Sequence, residues 1–273
     1  MTACKRNPPC SGGRFRALSD LSVGLTGQSR LVLDGDRNSY VNLQDPRNLG
    51  PFRYTRWIAE EVSQLAAGPT TPLDAVFVGG GGFTLPRWLA ATRRGSRSNT
   101  LEVDGQLVDL DRQRLGLRTS PALRATVGDA RLTMRREGTH SADLVVGDAF
   151  TGRTIPWQLM TVEWLREVRR VLKSGGLYAL NIRDLRPLSL LRAEIATLLK
   201  VFRNLRMVTT AGEDGRPAGD NAILFASDGP LPLRQGEPVA EATVFEREAL
   251  VRLAAGARTL TDDYAPVDQL ETR

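Results

Sequence analysis

The chain has 273 residues, of which 41% are apolar, and its formal net charge is +6. This length suits one large α/β domain with a small addition, and the apolar fraction is ordinary for a globular protein with a sizeable core. No apolar run approaches the roughly 18 residues that a membrane-spanning helix needs. The N-terminal segment also lacks the apolar stretch of a secretory signal. We therefore expect a cytoplasmic protein with no membrane partner.

The residue counts limit the chemistry. The two cysteines, Cys4 and Cys10, both lie in the polar N-terminal segment, and His140 is the only histidine. Two such cysteines make neither a disulfide framework nor a four-ligand zinc site. We expect no metal, and chemistry that depends on carboxylates, tyrosines or a bound co-substrate. The scattered arginines are interpreted as a general surface property, with no nucleic-acid partner, because aromatic side chains do not interleave with them.

The N-terminal quarter of the chain predicts a small β-element. Residues 1–20 are rich in Arg, Ser, Gly and Pro and are predicted to form a disordered tail. Residues 21–68 are predicted to hold a β-hairpin and one helix. The hairpin is indicated by two β-prone runs, 30–33 and 39–43, that flank an Asp-Gly-Asp turn. The helix follows from apolar residues at helical spacing between 54 and 67.

Residues 69–273 predict a larger α/β domain. Its seven β-prone segments are 73–78, 99–103, 124–127, 142–146, 177–182, 207–210 and 222–226. The clearest helix is predicted over 156–173, where apolar residues share one face, and Gly175-Gly176 is predicted to end it. Strands that alternate with helices predict a mostly parallel seven-stranded sheet with helices on both faces.

A run of four glycines, 79–82, follows the first of these strands and opens a helix. Glycines let the backbone approach a ligand closely, and a helix N-terminus offers free N–H groups. Alone, the run equally fits a tight strand–helix turn. Glu102 ends the second strand about 20 positions after Gly79, the spacing at which an acidic residue binds ribose hydroxyls. Together they favour a site for a nucleoside.

Two aspartates follow the next two strands. Asp129 comes after the third strand and Asp148 after the fourth. Ligands of open parallel sheets bind beyond the carboxyl ends of the strands, so both should lie at the edge that holds the glycine turn. Asp129 either accepts a hydrogen bond from an adenine amino group or caps the helix that follows. Asp148 either takes a proton as a base, or holds a cationic substrate, or caps its loop.

The order of these motifs resembles the spermidine synthase (polyamine aminopropyltransferase) family, in its divergent bacterial branch. The resemblance extends over roughly residues 31–270. The motifs that carry it are Gly79-Gly80-Gly81-Gly82, Leu101-Glu102-Val103-Asp104, Gly128-Asp129-Ala130, Val145-Val146-Gly147-Asp148 and the ending Leu260-Thr261-Asp262-Asp263-Tyr264-Ala265-Pro266-Val267-Asp268.

The resemblance implies a class I methyltransferase-like (Rossmann-type) sheet behind the small N-terminal β-hairpin domain. It also implies transfer of an aminopropyl group from decarboxylated S-adenosylmethionine to a small amine, in a homodimer without metal. Asp148 would be the catalytic acid–base residue. The cofactor-binding positions taken over from the family are Gly79, Gly80, Gly81, Glu102, Asp129, Ala130 and Pro156. The substrate-binding positions are Asn38, Tyr54 and Thr151.

Among the positions that depart from the family's pattern, two lack a carboxylate; Asn38 and Thr55 also differ from the family's glutamine and histidine. Phe83 stands where the glycine turn usually ends in an aspartate, and Thr151 stands where the catalytic loop has a second aspartate. Fewer carboxylates weaken the binding of a dication. Asp262, Asp263 and Asp268 either compensate by folding over the site or cap the last turn. Two alternatives therefore stay open: a methyltransferase that uses ordinary S-adenosylmethionine, and a nucleoside- or polyamine-binding protein without catalysis.

Overall fold

The computed structural model of the chain describes residues 22–23, 28–33, 36–65, 68–152, 154–231 and 242–271, and within these ranges it describes side chains from Ser39 onward. The predicted tail, 1–20, and the predicted hairpin turn at 34–35 lie outside the described residues. In the described ranges, every helix is too short or too polar to cross a membrane.

The described residues form strands, α-helices and two short 3-10 helices. The strands are β1 (Ser22–Val23), β2 (Gln28–Leu33), β3 (Asp36–Asn42), β4 (Asp74–Val78), β5 (Arg97–Glu102), β6 (Leu123–Val127), β7 (Ala142–Gly147), β8 (Leu172–Asp184), β9 (Asn204–Ala211), β10 (Pro217–Ser227) and β11 (Thr243–Glu246). The α-helices are α1 (Arg53–Ser63), α2 (Thr84–Thr92), α3 (Gly105–Arg114), α4 (Ala130–Thr133), α5 (Val162–Val171), α6 (Ser189–Val201), α7 (Arg247–Leu253) and α8 (Val267–Leu270). The 3-10 helices are Met134–Arg136 and Trp157–Leu159.

The strands make two sheets. In the small sheet β2 pairs antiparallel with both β1 and β3, which confirms the predicted hairpin. The large sheet has the order β11-β9-β10-β8-β7-β4-β5-β6. Strands β8, β7, β4, β5 and β6 run parallel, whereas β10, β9 and β11 are antiparallel to their neighbours. The predicted α/β fold with a mostly parallel sheet is confirmed, with eight strands instead of seven because β11 pairs with the edge of β9.

The central parallel strands β4 and β7 are buried on both faces, as their nearly continuous apolar sequences predict. Val76, Val78 and Val145 belong to the core on the face covered by α5 and α6. Phe77 and Val146 point to the opposite face and pack in the core that includes α1 and α2. Helix α1 therefore covers the second face of the sheet, and its first turn carries Tyr54.

A buried ion pair fastens α1 to the antiparallel part of the sheet. Arg206 on β9 donates from Nη1 to Oε1 of Glu61 on α1 at 2.7 Å, and from Nε to Oε1 of Glu246 at 2.9 Å. The Glu61 side chain is fully buried and that of Arg206 nearly so. Breaking a buried pair is costly because it strands a charge in the core. This pair therefore limits the positions that α1 can take relative to the sheet.

Helix α5 is shorter than the helix predicted over 156–173. It begins at Val162 because the Thr161 hydroxyl accepts a hydrogen bond from the Trp164 backbone N–H at 3.3 Å and caps the helix. The residues just before the cap form the 3-10 helix Trp157–Leu159. Strand β8 starts at Leu172, directly after α5, so the prediction that Gly175-Gly176 ends the helix is wrong: both glycines lie within the strand.

Replacing Thr161 by valine should lower the free energy of unfolding by about 1–2 kcal/mol, because the isosteric side chain can neither cap α5 nor hydrogen-bond with Arg131 and Asp262. Urea denaturation followed by circular dichroism measures this loss. Thr92→Val is the matched control, since the Thr92 hydroxyl only donates to the Trp88 carbonyl within its own helix. An equal loss in both variants would contradict the capping role.

Candidate active site

The candidate site lies where the parallel strands end side by side. In the register of the sheet, Val78 at the end of β4 pairs with Leu101 of β5 and with Gly147 of β7. The next residue along β5 is Glu102, and the next after β7 is Asp148. The sheet therefore brings together the glycine turn and both of these acidic residues at one edge, as predicted from the sequence.

The glycine turn is in direct contact with the backbone of the Asp148 loop. The Asp148 N–H donates to the Val78 carbonyl at 2.8 Å. Gly79 has a φ of 96°, and a Cβ at this position would lie 2.5 Å from the Asp148 carbonyl oxygen. Residues other than glycine rarely adopt this φ, and no side chain fits in this space. Gly79 is therefore required for the turn to lie against the loop.

The carboxylate of Glu102 is bound by the same turn. Gly80 donates its backbone N–H to Oε2 at 2.6 Å, and Asp104 donates its N–H to Oε1 at 2.9 Å. Burial raises the pKa of Glu102, while the hydrogen bonds from Asp104 and Gly80 act in the opposite direction. Each carboxylate oxygen can accept a second hydrogen bond. Glu102 can thus stay tied to the turn and still accept bonds from a ligand hydroxyl.

Asp148 is half-buried and accepts two side-chain hydrogen bonds. The Tyr54 hydroxyl donates to Oδ2 at 3.1 Å, and Asn181 Nδ2 donates to Oδ1 at 2.8 Å. Burial raises the pKa of Asp148 to about 6, although both donors favour the ionised form. Burial and the charge of Asp148 raise the pKa of Tyr54 well above its ordinary value, so the phenol stays protonated. Asp148 is therefore ionised at neutral pH and still able to take up a proton.

Asp129 and Ala130 lie at the start of α4. Asp129 is exposed, and its Oδ1 accepts a hydrogen bond from the Arg131 backbone N–H at 2.8 Å. Asp129 therefore caps α4, which is one of the two interpretations that the sequence allowed. The turn before it borders Glu102, because the Gly128 N–H donates to the Glu102 carbonyl oxygen at 2.8 Å.

The other three predicted site residues lie on the segment after β7 and on β3. Pro156 is half-buried and directly precedes the 3-10 helix Trp157–Leu159. Thr151 is exposed on the loop after Asp148, and its backbone pairs with that of Thr154. Asn38 lies in β3, and its side chain is outside the described part of the chain.

Phe83 follows the glycine turn, and its side chain brings no polar group to the site. The ring is fully buried and packs with Val108, Leu117 and Leu123. Its φ of 59° is unusual for a residue other than glycine. The spermidine synthase family usually has an aspartate at this position. In this chain the aromatic ring packs in the core on the α3 side of the turn instead.

Asp262 of the C-terminal segment is engaged in structural contacts. Its carboxylate accepts a hydrogen bond from the Thr161 hydroxyl at 2.7 Å and forms an ion pair with Arg131 on α4. The backbone of Val162 also donates to the Leu260 carbonyl at 3.0 Å. Asp262 thus fastens the C-terminal segment to α4 and to the start of α5.

Sequence reasoning missed two kinds of residue at this edge. Asn181 was not recognised, although a polar residue inside the apolar strand β8 is a usable signal. The second kind is a set of exposed large apolar side chains, which often mark binding surfaces. They are Val103 (68% exposed), Val127 (51%), Leu132 (58%) and Trp157 (47%). Val103 directly follows Glu102, so an apolar surface adjoins the bound carboxylate.

The described residues contain no group of three or more His, Cys, Asp or Glu side chains that could hold a metal ion.

Comparisons with known proteins identify first the fold class and then the family that the chain resembles. The crystal structure of human methyltransferase-like protein 13 in complex with SAH matches with a TM-score of 0.55 and 21% identity, over 81% of this chain and 100% of that chain. The fold is therefore class I methyltransferase-like. No family model matches the chain.

Two comparisons point to the spermidine synthases. The polyamine aminopropyltransferase of Vibrio vulnificus (strain CMCP6) is 27% identical over 254 residues, which cover 87% of this chain and 82% of the relative. The crystal structure of a probable spermidine synthase from Corynebacterium glutamicum ATCC 13032 matches with a TM-score of 0.79 and 26% identity, over 88% of this chain and 90% of that chain. The resemblance to the spermidine synthase family is confirmed.

Replacing Gly79 by alanine should lower the free energy of unfolding by about 1–3 kcal/mol more than the same change at Gly152, because only the first change overpacks the backbone contact with Asp148. Both glycines have positive φ, 96° and 63°, but none of the described residues has an atom within 4 Å of a Cβ at Gly152. Thermal and urea denaturation of the two variants give the difference. Indistinguishable losses would mean that the contact is not a constraint.

Proposed function

We propose that this chain is a spermidine synthase-like aminopropyltransferase that moves an aminopropyl group from decarboxylated S-adenosylmethionine to an amine acceptor. The observation that carries the proposal is the environment of Asp148. It is a half-buried carboxylate with a pKa of about 6, hydrogen-bonded by Tyr54 and Asn181, and it lies against the glycine turn that binds Glu102.

The donor nucleoside would occupy the edge formed by β4, β5 and β6. Glu102 would bind the ribose hydroxyls through its remaining lone pairs. The glycine turn has no side chains, so the nucleoside could approach its backbone closely. Asp129 and Ala130 would border the adenine, with Pro156 lining the other wall. The exposed Val103 offers an apolar surface on which a purine ring can lie.

The acceptor amine would lie on the Tyr54 side of Asp148, where the Thr151 hydroxyl and the Asn38 position complete the predicted substrate contacts. A raised pKa makes Asp148 a better proton acceptor than an exposed aspartate, while the group remains ionised at neutral pH. An amine is mostly protonated near pH 7 and becomes nucleophilic only when it loses a proton. Asp148 would supply that function, and Tyr54 would hold the carboxylate in place.

The proposed step balances without a further reactant. The nitrogen lone pair of the acceptor attacks the carbon of the aminopropyl chain that is bonded to the sulfonium sulfur. A carbon–nitrogen bond forms, the carbon–sulfur bond breaks, and its electron pair stays on sulfur to give neutral 5′-methylthioadenosine. The proton lost by the amine passes to Asp148. Fixing the two reactants in line supplies much of the remaining rate enhancement.

A product assay distinguishes the proposal from its alternatives. The protein is incubated with decarboxylated or ordinary S-adenosylmethionine and a panel of amines, and the products are identified by mass spectrometry. We expect 5′-methylthioadenosine together with an aminopropylated amine. Formation of S-adenosylhomocysteine would replace the proposal with methyl transfer, and no product from either donor would indicate a binding protein.

The variant Asp148→Asn should reduce turnover by about 100-fold or more, the range expected when a general base is removed. Its affinity for 5′-methylthioadenosine should stay nearly unchanged, because the nucleoside edge is intact. The matched control is Asp263→Asn, which removes the same charge from an exposed residue of the C-terminal segment. Wild-type turnover in Asp148→Asn would reject Asp148 as the base.

A further inference from the structure

Two asparagine side chains form a hydrogen-bonded row behind Asp148. Asn181 on β8 is 2% exposed, and Asn221 lies on the antiparallel neighbour β10. Asn221 Nδ2 donates to Asn181 Oδ1 at 2.9 Å, and Asn181 Nδ2 donates to Asp148 Oδ1 at 2.8 Å. The backbone at Asn221 is itself held by the Thr209 hydroxyl, which donates to the Asn221 carbonyl at 2.8 Å.

The row has a direction. A side-chain amide has a donor end and an acceptor end, so a hydrogen bond to one end fixes which end faces the other way. The ionised Asp148 carboxylate can only accept, so the NH₂ group of Asn181 faces it and the Asn181 oxygen is left to accept from Asn221. Reversing the Asn181 amide would place its oxygen against the carboxylate and would leave Asn221 Nδ2 facing another donor.

We propose that Asn181 and Asn221 are positioning residues that keep Asp148 in its proton-accepting form. Ionised Asp148 accepts from both Asn181 and Tyr54, and each donor is satisfied. Protonated Asp148 would itself need an acceptor; the Tyr54 oxygen could serve as one, whereas the NH₂ group of Asn181 can only donate and binds the charged carboxylate more strongly. The two amides therefore favour the carboxylate and oppose the effect of burial. This inference deepens the proposed function and rests on it.

The other groups packed against Asp148 do not replace this contribution. From α1 the titratable neighbour is Tyr54, whose raised pKa keeps it neutral. Strands β8 and β10 present the neutral amides of Asn181 and Asn221 and also the charged Arg183, which is paired with Asp220. The glycine turn presents the backbone of Gly79. The hydrogen bonds from Asn181 and Tyr54 to the charged form are what lower the pKa of Asp148.

The test changes Asn221, which does not touch Asp148. Asn221→Leu and the smaller Asn221→Ala remove the donor without adding charge, and Asn221→Asp turns the donor into an acceptor. We expect the Asp148 titration midpoint to rise in all three, by about one pH unit or more in Asn221→Asp. The ¹³C carboxyl resonance of Asp148, assigned with Asp148→Asn, reports the midpoint without any need for turnover.

Two further measurements complete the design. The acid limb of the pH–rate profile should move with the NMR midpoint, while the affinity for 5′-methylthioadenosine stays the same. Asn204→Leu is the control, because this amide on β9 donates instead to the Gly229 carbonyl at 2.8 Å and should leave the midpoint unchanged.

The possible outcomes distinguish a failure of this inference from a failure of the proposed function. A rise confined to Asn221→Asp would overturn the inference, because added charge alone would explain it. An unchanged midpoint in the neutral variants would overturn it as well. If the midpoint rises in every Asn221 variant but no aminopropyl transfer occurs in wild type, the amides control the protonation of Asp148 and the proposed function is what fails.

Discussion

The closeness of the glycine turn to the backbone of Asp148 is the constraint on which the site depends. Strands β4 and β7 are direct neighbours, so the turn after one must lie against the loop after the other. A Cβ at Gly79 would overlap the Asp148 carbonyl group. Because this position has no side chain, the turn can lie beside Asp148 and donate a backbone N–H to Glu102. A bulkier residue would separate two carboxylates that the proposed reaction needs together.

Glu102 and Asp148 are both carboxylates whose charge is disfavoured by burial, and different kinds of hydrogen-bond donor stabilise them. Burial raises the pKa of both Glu102 and Asp148, and hydrogen-bond donors oppose it in both. Glu102 takes its donors from the backbone, which suits a group that only holds a ligand. Asp148 takes its donors from side chains of α1 and β8, so its proton affinity depends on packing between separate elements. The buried Arg206–Glu61 pair, which fixes α1, therefore bears on the position of Tyr54.

Much of the fold follows from the sequence, because buried parallel strands leave apolar runs that periodicity can detect. The rule that ligands bind beyond the carboxyl ends of parallel strands predicted that Glu102 and Asp148 would meet, since the first ends a strand and the second directly follows one. The start of α5 was missed because the apolar pattern continues through the 3-10 helix, and Thr161 shows itself as the cap only through its contacts. Strand β11 was missed because it is only four residues long, Thr243–Glu246.

The polar residues that act through other residues are harder to predict. Asn181 and Asn221 are distant in the chain and meet only because β8 and β10 pair in antiparallel register. No local pattern records that pairing. The role of Asp262 has the same origin, since its partners Thr161 and Arg131 belong to elements far from the C-terminal segment. Phe83 could be recognised as a departure from the family pattern, but not as a buried core residue, because its direction depends on the left-handed backbone of the turn.

The proposed function requires this site to bind the decarboxylated donor beside an ionised Asp148. Calorimetric titration of the protein with decarboxylated S-adenosylmethionine, S-adenosylmethionine and 5′-methylthioadenosine tests it most directly. We expect the decarboxylated donor and 5′-methylthioadenosine to bind more tightly than S-adenosylmethionine, because Asp148 would repel the additional carboxylate. Tighter binding of S-adenosylmethionine would contradict the claim and favour methyl transfer. Failure of all three to bind would mean that the fold is present without the family's chemistry.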